Sequence, residues 1–239
     1  MPGPDLLERL AAEPALAAIL LDVDGTLAPI VDDPAAASVP QTVRGELRRL
    51  HDRYALVACI SGRPAVDAAR IVGVPELEYV GEHGLELDPE AAAWSDRLHE
   101  LAGAVAWPDV ERKPLSVSFH YRRAADPATA RARLEQVADR AAAAGLVARF
   151  GRMVLELRPP VDADKGTAVR HLLAAHGIGR ALYAGDDTTD LDAFRAVAAL
   201  ELGVRVAIVT AEGPPELREA ADIVLAGGPE ELATLLRRL

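Results

Sequence analysis

The stretch AILLDVDGTL, residues 18–27, constrains this chain more than any other. Its unbroken apolar run reads as a strand buried on both faces, the pattern of a central strand in a parallel sheet. Two carboxylates, Asp22 and Asp24, then appear two residues apart, followed at once by Gly25 and Thr26. The carboxyl ends of parallel strands are where α/β sheets bind ligands. A buried strand that ends in two negative charges therefore predicts both a fold class and a site.

The flanking sequence supports the fold class. Strands are expected at Ala17 to Val23, Ala55 to Ser61 and Glu78 to Val80. Helices are expected at Thr42 to Tyr54, where Val43, Leu47 and Leu50 fall at helical spacing, and after Pro64, a good first-turn residue. The last third repeats the rhythm. Helices are expected at Lys165 to His176, Leu191 to Leu200, Pro215 to Ala221 and Pro229 to Leu239. Strands are expected at Ala181 to Asp186, Val204 to Val209 and Asp222 to Ala226. Alternating strands and helices of this kind build a parallel sheet with helices on both faces.

The middle differs. Trp94 to Val105 is an amphipathic helical stretch. Leu115 to Arg122 alternates strictly, with Leu115, Val117, Phe119 and Tyr121 opposing Ser116, Ser118, His120 and Arg122. That pattern predicts an antiparallel strand with one exposed face. An alanine-rich helix from Pro127 to Ala144 and a hairpin from Leu146 to Leu157, turning near Gly151, complete the region. The expected organisation is a core of residues 1–83 and 160–239 with a small α+β module, 84–159, inserted into it.

Composition narrows the function classes. A formal net charge of -11 argues against nucleic acid and against an anionic membrane as partners. The amino-terminal sequence lacks a basic then apolar leader pattern, and no apolar run approaches the roughly 20 residues of a membrane span. The single cysteine, Cys59, forms no internal disulfide and falls within an apolar strand, as a core residue would. A cytoplasmic location is the expectation.

The acidic pair sets the chemistry. One carboxylate, Asp22, is placed to attack phosphorus. The other, Asp24, can protonate a leaving oxygen and later activate water. Two carboxylates repel a phosphate, so a cation is required, and Mg²⁺ prefers oxygen ligands. Three further segments supply the remaining parts. SGR, Ser61 to Arg63, follows the second strand with a hydroxyl and backbone N–H groups for phosphate oxygens. DKG, Asp164 to Gly166, puts Lys165 at a helix start. GDDTTD puts Asp186, Asp187 and Asp190 just beyond a strand as metal and lysine partners. A capped strand-to-helix turn would account for Asp22 and Asp24 alone. It does not account for all four segments in this order.

DVDGTL, Ser61, Lys165 and GDDTTD together resemble the four motifs of the haloacid dehalogenase superfamily of phosphohydrolases. The resemblance implies a Rossmann-like parallel-sheet core with an inserted α+β cap of the C2 type. Aspartate at position 24 is the phosphatase and phosphomutase form of the first motif. GEHGLEL, VERKPLSVSFHYR and VLELRPPVDADKG resemble the trehalose-6-phosphate phosphatase family. By that resemblance Asp22 is the nucleophile and Asp24 the acid and base. Ser61 and Lys165 hold the phosphoryl group. Asp22, the Asp24 carbonyl and Asp186 bind Mg²⁺, with Asp187 and Asp190 in support. Arg63, Glu111, Lys113, Arg122 and Glu156 would contact the substrate, and His83 would lie near the mouth of the site.

The chain departs from that family at Arg152 and Val154, where some members carry lysine and asparagine. Two bland readings stay open. Glu111, Lys113 and Arg122 also suit an ordinary solvated face, and Glu156 with Arg152 suits a cross-hairpin ion pair. The expected activity is hydrolysis of trehalose 6-phosphate, with a functional link to the synthase that makes it. Phosphatases of sucrose phosphate or a mannosyl phosphate, a phosphomutase and a catalytically silent domain are the alternatives.

Overall fold

The computed structural model describes residues 3–31, 33, 36–151, 153–210 and 213–239. In chain order the elements are α1 (Gly3–Ala12), β1 (Ala17–Leu21), α2 (Gln41–His51), β2 (Leu56–Ile60), α3 (Ala65–Val72) and β3 (Glu78–Val80). Then come α4 (Ser95–Gly103), β4 (Val110–Arg112), β5 (Val117–His120), α5 (Pro127–Ala143), β6 (Val147–Gly151) and β7 (Val154–Arg158). The chain closes with α6 (Lys165–His176), β8 (Arg180–Gly185), α7 (Asp190–Ala198), β9 (Leu202–Ile208), α8 (Pro215–Ala220), β10 (Ile223–Leu225) and α9 (Gly228–Leu236). These elements form two compact units. One runs to Gly84 and resumes at Ala163; the other is Leu85–Asp162.

The first unit is built on a six-stranded sheet of order β10-β9-β8-β1-β2-β3, in which every pairing is parallel. β1 lies between β2 and β8, and all five of its residues are buried, as are all five of β2. The apolar run of β1 is thus covered on both faces, and its hydrophobicity is what puts it in the middle. Because β1 and β8 are parallel neighbours, their carboxyl ends coincide. This brings Asp22 and Asp186 together across more than half the chain.

The second unit is a four-stranded antiparallel sheet of order β4-β5-β7-β6. One face packs on α4 and α5 through Val117, Phe119, Leu155, Leu157, Leu98, Leu134 and Val137. Alternation predicted an exposed opposite face for β5, and here the structure differs: Ser116 and Ser118 are 1% and 5% exposed. β5 is an interior strand, and Ser118 stands in register between Glu111 of β4 and Glu156 of β7. A short side chain between two long ones is covered by its neighbours even on a polar face. The hairpin turns between β6 and β7, with Met153 in the left-handed region at φ 62°. Among the described residues no helix is long and apolar enough to cross a membrane.

Candidate active site

Asp22 is the first residue past β1, and its backbone N–H continues the sheet by donating to the Ala184 carbonyl at 2.9 Å. Its side chain is nearly buried. Lys165 reaches it from the start of α6, where a capping box fixes the helix origin. There the Asp164 carboxylate accepts from the Thr167 N–H at 2.7 Å, and the Thr167 hydroxyl accepts from the Asp164 N–H at 2.8 Å. That cap leaves Lys165 as the first helical residue. Its Nζ donates to Asp22 Oδ1 and to Asp190 Oδ1, each at 2.6 Å.

Asp190 is the anchor of this arrangement. Its Oδ1 accepts from Lys165 and from the Tyr183 hydroxyl at 2.7 Å, and its Oδ2 accepts from the backbone N–H groups of Asp186 and Asp187 at 3.0 and 2.9 Å. An ionised carboxylate offers about four acceptor positions, and all are taken. Asp190 therefore holds the GDDTTD loop and the lysine in place. Gly185 permits this: a Cβ there would stand 2.2 Å from Asp190 Cγ. At Gly25, φ is +84° and a Cβ would stand 2.0 Å from Asp186 Oδ2, so the turn after β1 lets that carboxylate approach its backbone.

Charge in the cluster does not balance. Oxygens of Asp22, Asp186 and Asp190 lie within 4.8 Å of one another, and one ammonium faces them. Burial pushes the Asp22 pKa up to about 7 in spite of Lys165, with Asp190 adding to the rise. Burial raises Asp186 to about 9, with Asp22 and Asp190 adding to the shift. Burial opposes the charge on Lys165, but Asp190 and Asp22 overcome it and shift the lysine upward. A buried set of hard oxygen donors with two surplus negative charges suits a divalent cation of the Mg²⁺ type.

Asp24 does not point into that cluster. Arg63 grips it bidentately, Nε to Oδ2 and Nη2 to Oδ1, both at 2.7 Å. The SGR loop is held from behind. Ser61 Oγ, buried, accepts from the Arg63 N–H at 3.1 Å. The Ser61 and Arg63 carbonyls accept from the backbone N–H groups of His83 and Glu82, each at 2.9 Å. Glu82 and His83 adopt left-handed backbone at φ 47° and 55°, unusual for residues with a Cβ and of a kind that collects at functional sites. His83 thus positions the loop that carries Ser61 and Arg63.

In the second unit, Glu111, Ser118, Glu156 and Arg149 form one cross-strand row on the polar face. Lys113 Nζ lies 3.7 Å from Glu111 Oε1, and His120 Nε2 lies 3.3 Å from Glu111 Oε2. Arg122 stands apart, exposed in the turn after β5. Arg152 lies outside the described residues. Asp187 likewise contributes its backbone rather than its exposed side chain to the first unit's cluster.

Residues 20–103 and 95–226 match the family model described as trehalose-phosphatase. The chain belongs to the trehalose-phosphatase family. It is similar to the trehalose-phosphate phosphatase of Mycobacterium avium, 39% identical over 205 residues, which cover 75% of this chain and 51% of that protein. The chain spans about half the length of the curated relatives it matches. Its fold is similar to that of the C-terminal domain of trehalose-6-phosphate phosphatase from C. albicans, with a TM-score of 0.72, 23% identity, and coverage of 98% of this chain and 96% of that one. It is also similar to Aspergillus fumigatus trehalose-6-phosphate phosphatase, with a TM-score of 0.68, 25% identity, and coverage of 98% and 95%.

Three polar residues of this trehalose-phosphatase family chain escape the sequence reading: Tyr183, Thr26 and His120. The Tyr183 hydroxyl anchors Asp190, and Thr26 Oγ1 lies 3.4 Å from Asp186 Oδ1. Tyr183 sits in an apolar run and looks like core. A tyrosine two residues before GDD is a signal only once the strand register is known. Thr26, next to the acidic pair, was visible but had no partner in sequence to give it a role.

Proposed function

We propose that this chain is a Mg²⁺-dependent phosphomonoesterase that releases phosphate from trehalose 6-phosphate through an aspartyl-phosphate. The observation that carries the proposal is Asp22. It is buried and bound by Lys165 at 2.6 Å, in a cluster whose surplus charge calls for a divalent cation. An Oδ oxygen of Asp22 attacks phosphorus, and the bond from phosphorus to the sugar oxygen breaks. Asp24 gives its proton to that oxygen. Asp24 then takes a proton from water, whose oxygen attacks the aspartyl-phosphate and frees inorganic phosphate and Asp22. Arg63 has to yield one Asp24 oxygen for these transfers. Lys165 and the Ser61 hydroxyl hold phosphoryl oxygens, and Asp190 keeps Lys165 aimed. Asp22, Asp186 and the Asp24 carbonyl would hold Mg²⁺, which when bound neutralises charge on the phosphoryl group. Positioning and charge neutralisation carry most of the catalysis.

Residues 85–162 are the specificity unit in this reading. Glu111, Lys113, Arg122 and Glu156 read sugar hydroxyls, for which charged side chains on a rigid sheet are well suited. The names of the family relatives support trehalose 6-phosphate over other sugar phosphates, and a synthase of that compound is the expected functional neighbour. The test is a panel of sugar phosphates with Mg²⁺ or with EDTA, scored by inorganic phosphate. Trehalose 6-phosphate should be hydrolysed fastest, and EDTA should abolish turnover until Mg²⁺ is returned. Preference for sucrose phosphate or a mannosyl phosphate would reassign the substrate. Turnover only with a bisphosphate activator would make the protein a mutase, and no turnover at all would make it a silent domain.

A further inference from the structure

His120 closes β5 on the polar face of the second unit, and its backbone is pinned from three sides. Its N–H donates to the Asp109 carbonyl at 2.9 Å, its carbonyl accepts from Trp107 Nε1 at 2.8 Å, and Val154 of β7 is its cross-strand partner. The ring is steered as well. Nε2 lies 3.3 Å from Glu111 Oε2. A carboxylate only accepts, so Nε2 must carry the hydrogen of this pair, and in the neutral form of the ring Nδ1 is then a bare acceptor. Among the described residues, Nδ1 has no protein partner, and the residue facing His120 across β7 is an apolar valine. The side chain is 38% exposed. A rigid, oriented, accessible acceptor beside Glu111 is a feature that an O–H donor would complete.

We propose that His120 is a specificity-determining residue that accepts a hydrogen bond from a sugar hydroxyl at Nδ1, while Glu111 fixes its tautomer and orientation. This rests on the reading of the chain as a sugar-phosphate phosphatase and adds to it a contact on β5. The ligand class is a polyhydroxylated ring; an aryl phosphate offers no such hydroxyl. Two amide substitutions separate the nitrogens. Asparagine places a polar atom near the position of Nδ1 and cannot reach Glu111, whereas glutamine places its amide near Nε2 and leaves the Nδ1 position empty.

The experiment compares wild type, His120→Asn, His120→Gln and His120→Phe, first matched for melting temperature, on trehalose 6-phosphate and on p-nitrophenyl phosphate with Mg²⁺. His120→Gln and His120→Phe should each lose roughly tenfold in kcat/KM on the sugar phosphate, the scale of one hydrogen bond in a polar site. His120→Asn should stay within about threefold of wild type, and all three should stay within about twofold on the aryl phosphate. Retention by His120→Gln with loss in His120→Asn would overturn the proposal and leave His120 as a support for Glu111. Equal losses on both substrates would make it structural, and no loss in any variant would remove it from the site. If wild type prefers another sugar phosphate, the functional reading fails first, and the same four proteins are compared on the preferred compound. A wild type that hydrolyses no sugar phosphate overturns both.

Discussion

Lys165 and Lys113 are the chain's two lysines, every other basic side chain being arginine or histidine, and they live in different electrostatic surroundings. Lys165 is 3% exposed and lies 2.6 Å from two carboxylates that are themselves buried. Lys113 lies 3.7 Å from one oxygen of a half-exposed glutamate. The parallel sheet collects charge at the shared ends of its strands, where each group is desolvated and each has its acceptors filled. The antiparallel sheet spreads charge in rows across a face, where water competes with the half-exposed Glu111 and His120 while Lys113 is 12% exposed. Groups of the first kind are interdependent, so under the proposed function their loss is felt by any phosphate ester. Under the same proposal, a group of the second kind is felt only by a ligand long enough to reach it.

The strongest way to break this contrast is at Asp22. Asp22→Asn keeps the shape and removes the attacking charge, so phosphate release should fall by at least about a thousandfold on sugar and aryl phosphates alike, with the fold retained by circular dichroism. Retention of a tenth of the activity in a clean preparation would show that Asp22 is not the nucleophile. A smaller and selective effect is expected at Glu156. Glu156→Ala removes one charged hydrogen-bonding group, about 1.5–3 kcal/mol, or roughly 10- to 150-fold in kcat/KM for trehalose 6-phosphate. The rate on p-nitrophenyl phosphate should be nearly unchanged. Parallel losses on the two substrates would erase the distinction between the sheets.

Legibility in the sequence divides along the same line. Most of the first unit's strands and helices follow from apolar runs and helical spacing, whereas α1 (Gly3–Ala12) was not among the expected helices. Asp22, Lys165, Asp186 and Asp190 were visible because each stands at the end of such an element. The structure adds what no spacing encodes: the hydrogen bond from Tyr183 to Asp190, the use of Asp187 through its backbone, and the grip of Arg63 on Asp24. These depend on which strand ends coincide. In the second unit, alternation located β5 but misjudged its exposure, since burial of Ser116 and Ser118 depends on the neighbours that flank them. The proximity of His120 to Glu111 required the β4–β5 register, which a sequence with no tight hairpin signal between them does not supply.

The smallest effect sharpens the electrostatic side of the comparison. The folded-state pKa values of Asp22 and Asp186, about 7 and about 9, lie above the unfolded carboxylate value. Without metal, the folded chain therefore holds protons that the unfolded chain has released. The stability this gives is full in acid and is lost as pH rises through about 7 to 9. A divalent cation replaces those protons, so its benefit should grow with pH. Mg²⁺ at about a hundred times its Kd adds roughly 2.7 kcal/mol, or about 5–10 °C in melting temperature for a chain of this size. The Mg²⁺-dependent rise should be larger at about pH 9 than at about pH 6; a rise that shrinks with pH would contradict the charge surplus.

The scarcity of lysine also bears on how opening of the first unit can be followed. A lysine-specific protease has two peptide bonds to address in this chain. The bond after Lys113 precedes Pro114, whose ring obstructs cleavage, and the bond after Lys165 lies at the capped, buried start of α6. Cutting after Lys165 requires the helix start to detach from Asp22 and Asp190. The rate of that single cut, at protease levels where reclosing is faster than cleavage, measures how often the end of the parallel sheet that carries Asp22 comes apart.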